Sequence, residues 1–143
     1  MVINRLLNRL RRPDLPVVVD QNAVRSLIHA DEGRLERILV NLIDNADTHG
    51  GGATRLTVNR VGERVRIAVE DDGPGVPVED RDRVFERFAR GSSPRPSERY
   101  DGSGLGLALA AENTDLQGGA IWVEDAPGGG ARFVVELEAE SAP

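Results

Sequence analysis

Residues 31–48 constrain the fold of this chain more than any other stretch. Leu35, Ile38, Leu39, Leu42, Ile43 and Ala46 fall at i, i+3, i+4, i+7, i+8 and i+11, which places them on one apolar face of an α-helix. Such a helix must bury its stripe against a second layer. Asp31 suits the N-cap, and the glycines at 50–52 stop the helix. The second layer follows at once. Residues 54–61 and 64–71 alternate apolar and polar around Gly62-Glu63, which predicts a hairpin with one buried face. Residues 120–125 and 131–138 read as another hairpin around 127–130. Residues 17–19 and 23–30 read as short strands around a turn at Asp20-Gln21-Asn22, and 78–88 and 104–115 as helices. The expected fold is an α+β two-layer sandwich, a mixed sheet of about five strands with about three helices on one face.

At 143 residues the chain can bury a single core without covalent staples. Residues 15–143 form the expected domain. Residues 1–12 suggest a short amphipathic helix with Leu6, Leu7 and Leu10 on one side, interrupted by Pro13 and Pro16. The stretch 1–14 is therefore expected to be a linker or the stub of a helix from a preceding domain. With no cysteine, disulfides and thiolate metal sites are excluded. The longest apolar runs, such as 105–111, are too short to cross a bilayer, and no secretory signal opens the chain. The expectation is a soluble, cytoplasmic domain that makes no membrane contact of its own. A net charge of −6 argues against nucleic acid as a partner. Between Arg81 and Arg99, however, six arginines face three acidic residues, a local excess of +3. Within that stretch, 89–101 carries two prolines, three serines and a glycine with almost nothing to bury, a composition that marks a functional or disordered loop. All 18 basic residues are arginine, so no lysine is available to any site.

Three short boxes carry the chemistry. Asn41 and Asn45, four apart, share one side of the 31–48 helix. They lie roughly 110° from the centre of its apolar face, where a cleft edge would open. Two asparagines mid-helix carry a propensity cost. Their neutral oxygens suit a hard cation, although the spacing alone equally suits a solvated polar flank. In Asp71-Asp72-Gly73-Pro74-Gly75, Asp71 ends a strand beside a loop that allows close approach. Asp71 can accept a hydrogen bond from the exocyclic amine of a base, or the glycines can serve a strand-to-helix turn alone. Gly102, Gly104, Leu105 and Gly106 open an apolar helix, where backbone N–H groups and the helix N-terminus favour phosphate. The spacing is not that of a dinucleotide-binding loop, and a Walker loop requires a lysine. Together the boxes predict a site for a magnesium-bound nucleotide.

Their order resembles the ATP-binding catalytic domain of sensor histidine kinases, in the superfamily that also holds gyrase, the heat-shock chaperones and the mismatch-repair ATPases. The resemblance covers residues 15–137. Residues 31–46 are similar to the N box, 71–75 to the first glycine box, 102–107 to the second, and Phe85-Glu86-Arg87-Phe88-Ala89-Arg90 to the aromatic box between them. The implied fold is the Bergerat type, and the implied cofactors are ATP and Mg²⁺. Asn45 would ligate Mg²⁺, Asn41 would support the phosphates or the metal's water shell, and Asp71 would read the adenine amine. Gly73 and Gly75 would admit the base, 89–101 would be the ATP lid, and Arg87 or Arg90 would lie near the phosphates. Phe85 and Phe88 would anchor the base of the lid in the core. Superfamily members that hydrolyse ATP carry a glutamate where Asn41 stands. An amide cannot take a proton from water at pH 7, so Asn41 implies phosphoryl transfer.

The chain departs from the family at Thr48, where Lys or Arg is usual, and at His49, where Tyr or Phe is usual. A lid arginine such as Arg95 or Arg99 could compensate at Thr48. Gln117 stands where His is common. Neither His29 nor His49 sits in the acidic, proline-containing context of a phosphoacceptor. The implied function is therefore the catalytic part of a two-component kinase. It would donate the γ-phosphate to a histidine on a separate dimerisation and phosphoacceptor helical domain, with a response regulator downstream. The whole protein would be anchored in a membrane, and the isolated domain monomeric. The alternatives are an anti-sigma-type serine kinase and a non-catalytic nucleotide-binding regulatory module.

Overall fold

The computed structural model describes residues 5, 7–8, 11–20, 32–86 and 106–138. The predicted strand at 23–30, the Asp31 cap, the lid at 89–101, and Leu6, Leu10, His29 and Phe88 lie outside these residues, as do Arg87, Arg90, Gly102, Gly104 and Leu105.

Five strands form one mixed sheet: β1 (Val17–Val19), β2 (Ala53–Val61), β3 (Arg64–Asp71), β4 (Ala120–Asp125) and β5 (Ala131–Glu138). Their order across the sheet is β1-β2-β3-β5-β4. β1 runs parallel to β2, and every other pairing is antiparallel. Among the described residues the α-helices α1 (Glu32–His49) and α2 (Gly106–Leu116) cover one face, so the α+β two-layer sandwich is the observed architecture.

The apolar stripe explains α1. Leu35, Ile38, Leu39, Leu42, Ile43 and Ala46 are all buried against Leu56 and Val58 of β2, Val65, Ile67 and Val69 of β3, and Phe133, Val135 and Leu137 of β5. The amides of Gly50 and Gly52 both donate to the Ala46 carbonyl, at 2.9 and 3.0 Å, which closes the helix end. In β3 the core-facing residues alternate, 65, 67 and 69, and the same period carries Asp71 to the helix side of the sheet. On the reverse face Arg55, Glu70, Arg132 and Glu124 are successive cross-strand partners, a row of alternating charge. Leu7 and Leu15 are buried in the same core.

One element differs from expectation. Residues 78–88 were expected as a helix, but the described part holds two 3-10 turns, Val78–Asp80 and Arg83–Phe85. The reason is patterning. Val78 is 73% exposed, while only Val84 and Phe85 pack on the core, so no i, i+3, i+4 stripe exists to stabilise a regular helix. Phe85 stacks edge-on against Phe133, with ring centroids 6.1 Å apart. Phe85 thus anchors this segment in the core, as its place in the aromatic box implied.

Candidate functional site

Asp71 stands at the C-terminal end of β3 and is 5% exposed. Its Oδ1 accepts two backbone hydrogen bonds, from the amides of Gly73 and Ala131, each at 3.0 Å. Both bonds fall on the same oxygen. Oδ2 accepts no hydrogen bond among the described residues, which leaves a fixed, directed acceptor at the sheet end.

Glycines make this arrangement possible. A Cβ on Gly50 would come within 2.7 Å of Asp71 Cβ, closer still to its Cγ and Oδ2, and a Cβ on Gly130 would overlap the Asp71 carbonyl oxygen. A Cβ on Gly73 would stand 2.6 Å from the Gly50 Cα. Gly75, at φ +79°, faces the carbonyl oxygens of Gly129 and Gly130, each 3.7 Å from where its Cβ would be. Three turns therefore meet around one carboxylate: the end of α1, the loop after β3, and the β4–β5 turn. The predicted residues Asp71, Gly73 and Gly75 come together here.

The remaining predicted residues within reach extend the site along α1. Asn41 and Asn45 are half-buried on the flank of the helix, and neither amide bonds another described residue. At about 1.5 Å per residue, Asn45 lies roughly 7.5 Å and Asn41 roughly 13.5 Å along the axis from Gly50. Asn41 Oδ1 stands 3.9 Å from the point where a Cβ on Gly106 would be, so the far end of the stripe meets the first residue of α2. The N-terminus of α2 brings amides without intrahelical partners and a partial positive charge there. α1 thus reaches the Asp71 carboxylate at its C-terminal end through Gly50 and the N-terminus of α2 through Asn41, with Asn45 between. Thr48 is half-buried one helical turn from Asn45, and His49 is exposed at the helix end. Gln117 caps α2 from its side chain, donating to the Asn113 carbonyl at 3.1 Å.

Among the described residues no three His, Asp or Glu side chains cluster as a metal site. A divalent cation beside α1 would rest on amide oxygen, phosphate oxygen and water, the hard oxygen ligands that Mg²⁺ takes. The half-buried amide of Asn45 fits that role. A separate open groove, lined by Phe85, Ala108 and Ile121 among others, lies between α2 and the edge strand β4 and contains none of the predicted site residues.

Sequence reasoning missed Gly50, Gly130, Ala131 and Arg81. Gly50 was visible only as a helix stop. Gly130 and Ala131 meet Asp71 through the pairing of β3 with β5, across a separation of 60 residues. Arg81 donates from Nε to the Val76 carbonyl at 3.1 Å and from Nη2 to Asp125 Oδ1 at 2.8 Å, and no local pattern announces either partner.

Residues 30–141 match the family described as histidine kinase-, DNA gyrase B-, and HSP90-like ATPase. Similar proteins include the signal transduction histidine-protein kinase AfsQ2 of Streptomyces coelicolor, 46% identical over 87% of this chain and 23% of that protein. Another is the sensor-type histidine kinase PrrB of Mycobacterium tuberculosis, 43% identical over 90% of this chain and 28% of that protein. The chain thus spans about a quarter of the length of these curated relatives. Among solved structures, the ATP-binding domain of M. tuberculosis PrrB aligns with a TM-score of 0.66 and 32% identity, covering 98% of this chain and 93% of that one. Full-length ShkA in complex with AMPPNP aligns with a TM-score of 0.71 and 33% identity, covering 99% of this chain and 29% of that one. The chain belongs to the histidine kinase-, DNA gyrase B- and HSP90-like ATPase family, and within it to the ATP-binding domains of sensor histidine kinases.

Proposed function

We propose that this domain binds Mg²⁺-ATP with the adenine at Asp71 and the triphosphate along α1, and donates the γ-phosphate to a histidine of a separate helical phosphoacceptor domain. The observation that carries this reading is the Asp71 carboxylate. Two backbone amides fix Oδ1, so Oδ2 is oriented to accept from the exocyclic amine of adenine and to reject the carbonyl of guanine. The two asparagines then follow at a spacing that matches an extended triphosphate, which ends at the N-terminus of α2.

Asn45 would hold Mg²⁺, and Asn41 would hold a phosphate oxygen or a water of the metal. The metal supplies neutralisation of phosphate charge during transfer. In transfer the bond between the γ-phosphorus and the bridging oxygen breaks and a P–N bond to imidazole forms, with ADP as leaving group. The described residues place no carboxylate where Asn41 stands, so the domain positions ATP without activating water, and positioning with charge stabilisation is most of what phosphoryl transfer needs. Arg87 and Arg90 would add charge near the phosphates, and Gly102, Gly104 and Leu105 would complete the cradle that Gly106 begins. Residues 89–101 would close over the nucleotide. No helix among the described residues is long and apolar enough to cross a membrane. In the whole protein the domain is a cytoplasmic part of a membrane-anchored sensor, a monomeric unit in itself, joined to a dimerisation domain and acting on a response regulator.

Calorimetry with ATP, ADP and GTP, with and without Mg²⁺, on wild type and Asp71→Asn tests the binding half. The expected loss for Asp71→Asn is about tenfold to a hundredfold in ATP affinity. No preference for adenine, or no effect of the substitution, overturns the assignment. Incubation with a cognate phosphoacceptor domain tests the transfer half, since phosphohistidine is acid-labile and phosphoserine is not.

A further inference from the structure

We propose that Arg81 is a positioning residue for adenine binding, which steadies the frame around Asp71 by tying the loop after β3 to the β4–β5 turn. The inference rests on the reading of Asp71 as the adenine acceptor and extends it to a residue outside the boxes. Two segments flank Asp71. One is the loop Gly73–Val76, and the other is the turn that ends at Gly130 and Ala131. They meet at Gly75, where an added Cβ would stand 3.7 Å from the carbonyl oxygens of Gly129 and Gly130.

The contacts close into a ring. Asp71 Oδ1 accepts from Gly73 at one side and from Ala131 at the other. From Gly73 the chain runs to Val76, whose carbonyl accepts from Arg81 Nε. Nη2 of the same guanidinium donates to Asp125, and Asp125 is the cross-strand partner of Ala131. Each other link is backbone or the buried Asp71 itself. Arg81 is the one long side chain in the ring, and its planar fork holds two acceptors at a fixed separation, which an ammonium cannot do. Without it, the loop stays tied to the turn by Asp71 Oδ1 and by the contact at Gly75, and the frame that orients Oδ2 is looser.

The test is calorimetry on Arg81→Ala, Arg81→Lys and Asp125→Asn beside Asp71→Asn, with Mg²⁺-ATP, ADP and GTP. For Arg81→Ala the expected result is a loss of about three- to tenfold in affinity, by the same factor for ATP and ADP. GTP binding changes less, so the ATP-to-GTP ratio falls. Arg81→Lys recovers only part of the loss. Asp125→Asn, at a side chain that is 78% exposed, keeps the fold and shifts affinity in the same direction by a smaller factor. An unchanged ATP-to-GTP ratio in Arg81→Ala overturns the inference. So does a uniform loss for all three nucleotides, which is the signature of general destabilisation. If Arg81→Ala does not fold, Asp125→Asn decides by the same ratio. If Asp71→Asn leaves adenine preference intact, the reading of Asp71 falls and this one with it. If Asp71→Asn abolishes the preference and Arg81→Ala leaves it intact, the inference about Arg81 alone fails.

Discussion

Gly50 lies against Asp71 so closely that a Cβ on Gly50 would overlap the Asp71 carboxyl group. The end of α1 therefore presses on the carboxylate that ends β3, and the helix that carries the apolar stripe of the core also closes the base site. A methyl group there must displace either the Gly50 backbone or Asp71, which two amides hold in place.

Gly50→Ala is expected to lower stability by about 1–3 kcal/mol through overpacking and to weaken ATP binding at least tenfold as Asp71 is pushed off its amides. Thermal unfolding and calorimetry check the two effects together. Wild-type values in both would mean that the close approach is not rigid.

Behind the site, Glu70 is 5% exposed and its Oε2 meets Arg55 Nη2 at 3.0 Å and Arg132 Nε at 3.8 Å. Arg132 Nε is buried with no hydrogen-bond partner among the described residues, so it depends on the charge of Glu70. Removing one partner of a buried pair costs most when both are enclosed. With Arg55 40% exposed, Glu70→Gln is expected to cost less, about 1–3 kcal/mol. Urea unfolding reads that loss. Because Glu70 and Asp71 point to opposite faces of the strand, the ATP-to-GTP ratio should not move, and a change in it would contradict this separation.

The parts of the fold that were legible in the sequence are those set by local period. The 3.6-residue stripe from Leu35 to Ala46 and the alternation through β2, β3, β4 and β5 each encode burial on one face, and the strands 64–71, 120–125 and 131–138 begin and end where alternation does. Residues 78–88 misled because helix-forming residue types are present without an apolar stripe. The walls of the base site were illegible for another reason. Ala131 reaches Asp71 only because β5 inserts between β3 and β4, and a pairing that long-range leaves no periodic trace near either residue. The asparagine stripe stood out because it violates helix propensity where nothing structural requires it.

Leu42 and Asn45 sit three residues apart on α1 but serve different ends. Leu42 is fully buried at 0% exposure, and Leu42→Ala is expected to cost about 2–5 kcal/mol, a large share of the roughly 5–15 kcal/mol that holds a domain together. Asn45→Ala removes an amide that bonds no other described residue and installs a better helix former, so unfolding of the free domain should be unchanged or slightly harder. Its effect should appear in calorimetry as a loss of the Mg²⁺-dependent part of ATP affinity. If Asn45→Ala instead destabilises the free domain like Leu42→Ala, the amide is structural.

Asn41 tests why this site would transfer phosphate instead of spending it on water. An amide has no usable basicity, whereas a glutamate, with an ordinary pKa near 4.3, is ionised at neutral pH and can take a proton from an attacking water. Asn41 lies beside Gly106, the first residue of α2, so a carboxylate there is compatible with the positive end of that helix while repelling the phosphates. Asn41→Glu is therefore expected to weaken ATP binding by about tenfold, equivalent to roughly 1.4 kcal/mol. At saturating Mg²⁺-ATP it should raise phosphate release in the absence of any phosphoacceptor. Asn41→Gln, similar in length but without the base, is the control and should show no such rise. Equal rates of phosphate release from wild type, the Glu variant and the Gln variant would mean that Asn41 does not face the γ-phosphate, and that the triphosphate leaves the α1 stripe before reaching it.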